Sequence, residues 1–274
     1  MPFVSRCLTI ALCLAALFCS SCAPAAEIDK DVRVLFVGNS LTYVGNLPAV
    51  LAALATSNGK RISTDMLVSG GATLADRVND SSVKKLLAAR RFDFVILQER
   101  GGDVLCVSDV GTGKSCDSYN AHIELGRIVR SHHAKPVVLG TYQSLEPVSR
   151  AVEANEAVLA KRIGAVHVRV SERFRFARAQ YPTMNWYAAD GSHPGPDLVL
   201  FEAVRLYSAI YDASPAAHEL RIAKPYDTHA YFTGSLAASA QATMAPVATY
   251  TYDAHRVAKI SAIALADPLR EAAY

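Results

Sequence analysis

Short apolar runs alternate along this chain with longer stretches whose apolar positions recur at helical spacing. Val34-Leu35-Phe36-Val37 is the first run, and 92–97 is nearly continuous, as a strand buried on both faces requires. The pattern predicts strands over 33–37, 61–68, 92–97, 136–140 and 166–170. It predicts helices over 46–58, about 74–90, 119–132, 148–163, 171–180 and 197–211, with Val83, Leu86 and Leu87 marking the apolar stripe of the second. A glycine-rich polar loop is expected between the third strand and about residue 118. Strands alternating with helices in this way build a parallel, doubly wound sheet with right-handed crossovers.

Both ends depart from that rhythm. Arg6 precedes an apolar stretch from Cys7 to Cys19, and Ala23-Pro24-Ala25 offers a cleavage site before Ala26. Residues 1–25 therefore read as a secretory signal, its apolar part too short for a comfortable membrane span. Cys22 opens an alternative, a lipoprotein anchored to a membrane through that cysteine, although Cys19 stands three residues earlier where leucine is usual. From Asp212 onward alanine, serine and threonine become frequent, with Tyr226, Tyr231, Tyr250 and Tyr252 scattered through, and only 254–266 reads as a helix. The expected organisation is a leader, a catalytic-type domain over 27–211, and a tail over 212–274. The tail either packs on the α/β core or forms a small extension.

Composition narrows the function classes. The 274 residues suffice for one α/β domain with a full core, and 51% apolar against 19% charged residues argues for a globular chain. The net charge of +3 is scattered, with no Lys/Arg cluster longer than a pair, so no nucleic-acid partner is expected. Four of the six cysteines lie in the leader, leaving Cys106 and Cys116 in a polar loop. In an exported protein such a pair reads as a disulfide.

The candidate chemistry sits at two strand and loop ends. The first apolar run stops at Gly38-Asn39-Ser40-Leu41-Thr42, which would present a serine hydroxyl at the carboxyl end of a strand, where ligand sites of open α/β sheets lie. The plainer reading is a turn in which Asn39 and Ser40 cap the next helix. Downstream, Asp190-Gly191-Ser192-His193-Pro194 supplies an imidazole and, three residues before it, a carboxylate to hold its tautomer. Alone, that stretch is equally an ordinary turn beside a surface histidine. Gly111-Thr112-Gly113-Lys114-Ser115 has the end of a phosphate-binding loop, but Ser108 occupies the first glycine position and no strand precedes it, so it reads as surface loop.

Taken together, the Gly38–Thr42 and Asp190–Pro194 stretches resemble the first and last sequence blocks of the SGNH/GDSL hydrolase superfamily. The resemblance covers roughly residues 32–211. It implies a flavodoxin-like three-layer α/β/α fold with a central parallel sheet of about five strands. It further implies Ser40 as nucleophile, His193 as base and Asp190 as the group that orients it, with no metal and no cofactor. In the family an oxyanion hole combines the serine N–H, a glycine N–H after the second strand and an asparagine side chain after the third. Gly70 and Gly71 match the glycine block. The asparagine block is absent, and Leu97-Gln98-Glu99 stands in its place, making Gln98 the expected donor. Asn39, Trp186 and Tyr187 are expected at the substrate, the two aromatics either as a sugar platform or as core residues. The family resemblance makes an O-acetyl ester on a carbohydrate the expected substrate. The alternative is a catalytically weak carbohydrate-binding or polysaccharide-assembly protein on the same fold.

Overall fold

A computed structural model describes residues 31–112, 116–223, 235–237 and 249–266. The leader with Cys22, residues 113–115 of the phosphate-loop-like stretch, and Tyr226 and Tyr231 lie outside the described residues.

Five parallel strands form the sheet: β1 (Val32–Gly38), β2 (Ile62–Val68), β3 (Phe94–Leu97), β4 (Lys135–Leu139) and β5 (Val166–Val168), in the order β5-β4-β3-β1-β2. β1 is central, with Val34 paired to Thr64 on one side and Phe94 on the other. Because strand side chains alternate, Val34 and Phe36 enter one core and Leu35 and Val37 the opposite one, all fully or almost fully buried. The first core is closed by α2 (Leu47–Ser57), α7 (Ser171–Gln180) and α8 (Pro196–Tyr211). The second is closed by α3 (Leu74–Asn79), α4 (Ser82–Ala89), α5 (Asp117–Ser131) and α6 (Glu146–Ile163). This is the expected three-layer α/β/α arrangement.

The single helix expected over about 74–90 is two. Asp80 Oδ1 accepts a hydrogen bond from Ser82 N (2.7 Å), and Ser81 takes a positive φ of 57°. An aspartate side chain thus competes with the helical ladder and ends α3. The expected loop after β3 is largely a 3₁₀ segment, Asp103–Thr112, held to α6 by Asn155 Nδ2 donating to Val104 O (3.0 Å). Cys106 and Cys116 are disulfide-bonded, with Cα atoms 5.4 Å apart, and tie this segment to the start of α5.

The described parts of the tail pack on the core. Short β7 (Ser235–Ala237) adds to β2 antiparallel as a sixth, edge strand that the sequence pattern did not predict. β6 (Leu220–Ala223) and β8 (Thr249–Tyr252) pair antiparallel, and α9 (Ala254–Leu265) packs on α8. Leu220, Tyr252, Val257 and Ile260 are buried in the same core as β1 and α8. Arg256 grips Asp197 through two bonds, Nε to Oδ1 (2.6 Å) and Nη2 to Oδ2 (2.8 Å), and Tyr252 donates to Pro196 O (2.9 Å). The tail therefore holds the first turn of α8.

Candidate active site

The chain leaves β1 under tight steric control. A side chain at Gly38 would meet Thr42 Oγ1 at 2.3 Å, so only glycine lets the strand pass into the short helical turn α1 (Ser40–Tyr43). Asn39 caps that turn, its Oδ1 accepting from Leu41 N (3.0 Å). Its Nδ2 donates to Ala72 O (3.2 Å) and Gln98 O (3.5 Å), tying the ends of three neighbouring strands. Ser40 is left partly exposed at the carboxyl end of the central strand. Neither its hydroxyl nor its N–H is bonded to an acceptor among the described residues.

The Gly70-Gly71 loop lies beside it. Ala72 N donates to Ser69 O (3.2 Å), and Gly71 has φ +68° in the third position of that turn, a place glycine fills without strain. The loop is braced at successive positions. Arg100 Nη1 donates to Gly71 O (3.3 Å), Asn39 holds Ala72 O, and Glu99 Oε1 accepts from Leu74 N (3.2 Å) and Arg100 N (3.0 Å). Burial pushes the Glu99 carboxyl above its usual range, although those two N–H donors pull it back down. The Gly70 and Gly71 N–H groups have no acceptor among the described residues and remain available.

Gln98 occupies a different place from the one expected. It is 1% exposed; Oε1 accepts from Thr42 Oγ1 (2.6 Å), and Nε2 is enclosed without a partner among the described residues. The side chain braces α1 against β3 and does not open onto the groove. Asn39, also 1% exposed, is likewise corrected from substrate contact to cap and brace, because both ends of its amide are spent inside the protein.

The base loop is built around one carboxylate. Asp190 Oδ1 accepts from Ser192 N (2.9 Å), Ser192 Oγ (3.2 Å) and His193 N (2.9 Å), while Oδ2 meets His193 Nδ1 at 2.6 Å. Gly191 makes the turn with φ +72°. Burial acts to raise the Asp190 pKa, but the backbone N–H groups of His193 and Ser192 and the imidazole outweigh it and hold the carboxyl well below the usual carboxylate range. An ionised Asp190 keeps a proton on Nδ1 and leaves Nε2 free to act as base.

The loop is docked from three sides. Tyr142, just past β4, donates to Ser192 O (2.7 Å). Tyr187 and Pro194 form an isolated bridge, and Gly195, where a side chain would strike Asn185 O at 2.4 Å, donates to Trp186 O (2.8 Å). Asp197 accepts from Asn185 N (2.7 Å) while gripped by Arg256. The following turn of α8 returns toward β1, for Val199 packs so closely on Gly45 that a side chain there would lie 2.0 Å from Cγ2. Ser40, after β1, and His193, in the loop held by Tyr142 after β4, thus lie at the same end of the sheet, with no direct hydrogen bond between them. In ligand-free enzymes such bonds are commonly long and tighten with substrate.

Of its two expected places, sugar platform or core, Trp186 takes the core. It is 2% exposed, packs edge-on against Phe174 (5.6 Å) and Phe201 (6.3 Å), and donates Nε1 to Tyr181 O (2.8 Å). Tyr187 is half-buried and keeps a face toward Arg178, whose guanidinium lies 5.1 Å from the ring centre. Among the described residues no group of three His, Cys, Asp or Glu side chains is arranged to hold a metal. Sequence reasoning missed Glu99, Arg100, Tyr142 and Arg256. Only Glu99 and Arg100 carried a signal, as charged residues at the end of a buried strand.

No protein-family model and no curated protein sequence matches this chain. Solved structures do. A candidate SGNH hydrolase from Slackia heliotrinireducens matches with 26% identity and a TM-score of 0.54 over 66% of this chain and 100% of its own. A DUF4886 family protein from Bacteroides uniformis matches with 14% identity and a TM-score of 0.55, over 72% of this chain and 86% of its own. The psychrotrophic esterase EstA from Pseudoalteromonas sp. matches with 14% identity and a TM-score of 0.50, over 66% and 98%. The fold is the α/β/α sandwich that these structures share. With the Gly38–Thr42 and Asp190–Pro194 motifs in place, these likenesses support membership of the SGNH/GDSL hydrolase superfamily.

Proposed function

We propose that this protein is an exported serine esterase that removes an O-acetyl group from a carbohydrate through an acyl-enzyme. The observation that carries the reading is the short Asp190–His193 contact (2.6 Å) in a loop docked through Tyr142 at the end of the sheet that also carries the partly exposed Ser40. Ser40 Oγ attacks the ester carbonyl as His193 Nε2 takes its proton, and Asp190 stabilises the imidazolium. The oxyanion that develops is met by the Ser40 N–H and by an N–H of the Gly70-Gly71 loop. His193 then protonates the leaving alkoxide, activates a water that attacks the acyl-enzyme, and returns the proton to Ser40 as acetate departs. These steps call on no metal and no cofactor. The leader motivates export to the periplasm or the exterior, with membrane attachment only if Cys22 is lipidated, and the scattered charge gives nucleic acid no footprint.

The test is hydrolysis of p-nitrophenyl acetate by the mature protein beside Ser40→Ala. Turnover that disappears in the variant supports the reading, and equal rates in the two proteins refute it. The enclosed Gln98 Nε2 favours the second reading, a carbohydrate-binding or assembly protein of low turnover, because it removes one oxyanion donor from the groove.

A further inference from the structure

A cavity of about 440 Å³ opens between Gln143 and Ser144 after β4, Phe174, Arg175 and Arg178 of α7, and Pro182. Its charges are unevenly committed. Arg175 is held by Glu172 through two bonds (3.0 and 3.1 Å), and Glu146 is taken by Arg150. Arg173, on the same helix, donates to Ala266 O. Arg178 reaches no carboxylate of a described residue. Its guanidinium instead lies 5.1 Å from the centre of the Tyr187 ring. The guanidinium also interacts with the Tyr187 hydroxyl, and a contact of this kind positions the cation while leaving further N–H groups to receive a carboxylate.

The position of this cation ties it to the chemistry. Tyr187 bridges to Pro194, next to His193, so Arg178 is linked to the base loop through the Tyr187 ring. Gln143 borders the same cavity and packs against Gly101 of the loop after β3, where an added side chain would lie 2.7 Å from its Nε2. Two residues of its wall thus reach outward, Gln143 to the loop that carries Arg100 and Phe174 to Tyr187 (5.7 Å). We infer that the cavity is a subsite for a sugar carboxylate, so that the ester hydrolysed is carried by an acidic glycan held through Arg178. This inference rests on the esterase reading and names the substrate class for it.

The test compares mono-O-acetylated methyl glucuronoside with mono-O-acetylated methyl glucoside, in the wild type, Arg178→Gln and Arg178→Lys. The expected result is a kcat/KM ratio of about tenfold or more in favour of the acidic sugar, as a charge-assisted bond supplies. The ratio collapses toward one in Arg178→Gln and is partly kept in Arg178→Lys, which retains the charge without the fork. Because the ratio is taken within each protein, a general loss of active enzyme cancels. Equal rates on both sugars in the wild type, or an unchanged ratio in Arg178→Gln, overturn the inference while leaving the esterase reading standing. If p-nitrophenyl acetate and both sugars are left untouched, the esterase reading fails, and calorimetric binding of methyl glucuronoside decides the subsite. Weaker binding by Arg178→Gln upholds it; equal or absent binding in both proteins overturns it.

Discussion

The two sides of the candidate site are held in opposite ways. On the nucleophile side, buried polar side chains cross-link strand ends: Asn39 spans β1 to the loops after β2 and β3, Thr42 meets Gln98, and Glu99 and Arg100 grip the glycine loop. On the base side the key groups are partly open to solvent, with 23% of the His193 side chain and 35% of Asp190 exposed. Their geometry is set within a tight loop, then docked by Tyr142 and by the tail through Arg256 and Asp197. Oxyanion donors act only if fixed before charge develops, which suits a cross-braced scaffold. A base needs one correct tautomer and orientation, which a single well-bonded carboxylate supplies.

This contrast can be broken in order of effect. Ser40→Ala should lower kcat on p-nitrophenyl acetate by roughly four to six orders of magnitude, read by steady-state kinetics. Asp190→Asn, which removes the acceptor that fixes the His193 tautomer, should cost roughly 10⁴-fold at neutral pH. Arg100→Ala releases Gly71 O without touching the reacting groups. A loss of about tenfold to a hundredfold in kcat, with KM little changed, would mark a loosened oxyanion loop. Arg256→Ala leaves the buried Asp197 without its cation, bonded only by Asn185 N, and should destabilise the fold by about 2 kcal/mol in urea unfolding, an effect that pocket residues would not produce.

The pH profile separates the two sides as well. A carboxyl whose pKa is depressed by folding contributes stability that is present above its unfolded value, about 3.9, and lost only as pH falls through the lower folded value. The Asp190 contribution to the base loop should therefore survive mild acid. Far-ultraviolet circular dichroism should accordingly stay unchanged as the pH is lowered into that range.

What the chain revealed in advance was the part written locally. The β1 run, its Gly38–Thr42 end and the Asp190–His193 spacing each lie within a few residues, and the structure keeps them together. The braces were hidden because they join distant positions. Arg256 meets Asp197 across 59 residues, Tyr142 reaches Ser192 across 50, and Arg100 holds Gly71 across 29. No period or composition signals such a pairing. Gln98 illustrates a subtler failure, since an amide at the right position in sequence turned inward to Thr42. Trp186 sits beside the base loop in sequence yet belongs to an aromatic cluster with Phe174 and Phe201. The helix break at Asp80-Ser81 turned on one side-chain bond that competes with the ladder.

The central claim is that Ser40 is an activated nucleophile, and the most direct measurement is intact-protein mass after treatment with diethyl p-nitrophenyl phosphate. The account predicts a single diethylphosphoryl adduct, mapped to Ser40, formed with release of one equivalent of p-nitrophenol and absent from Ser40→Ala. No adduct on a folded protein, or one that persists in the variant, would contradict it.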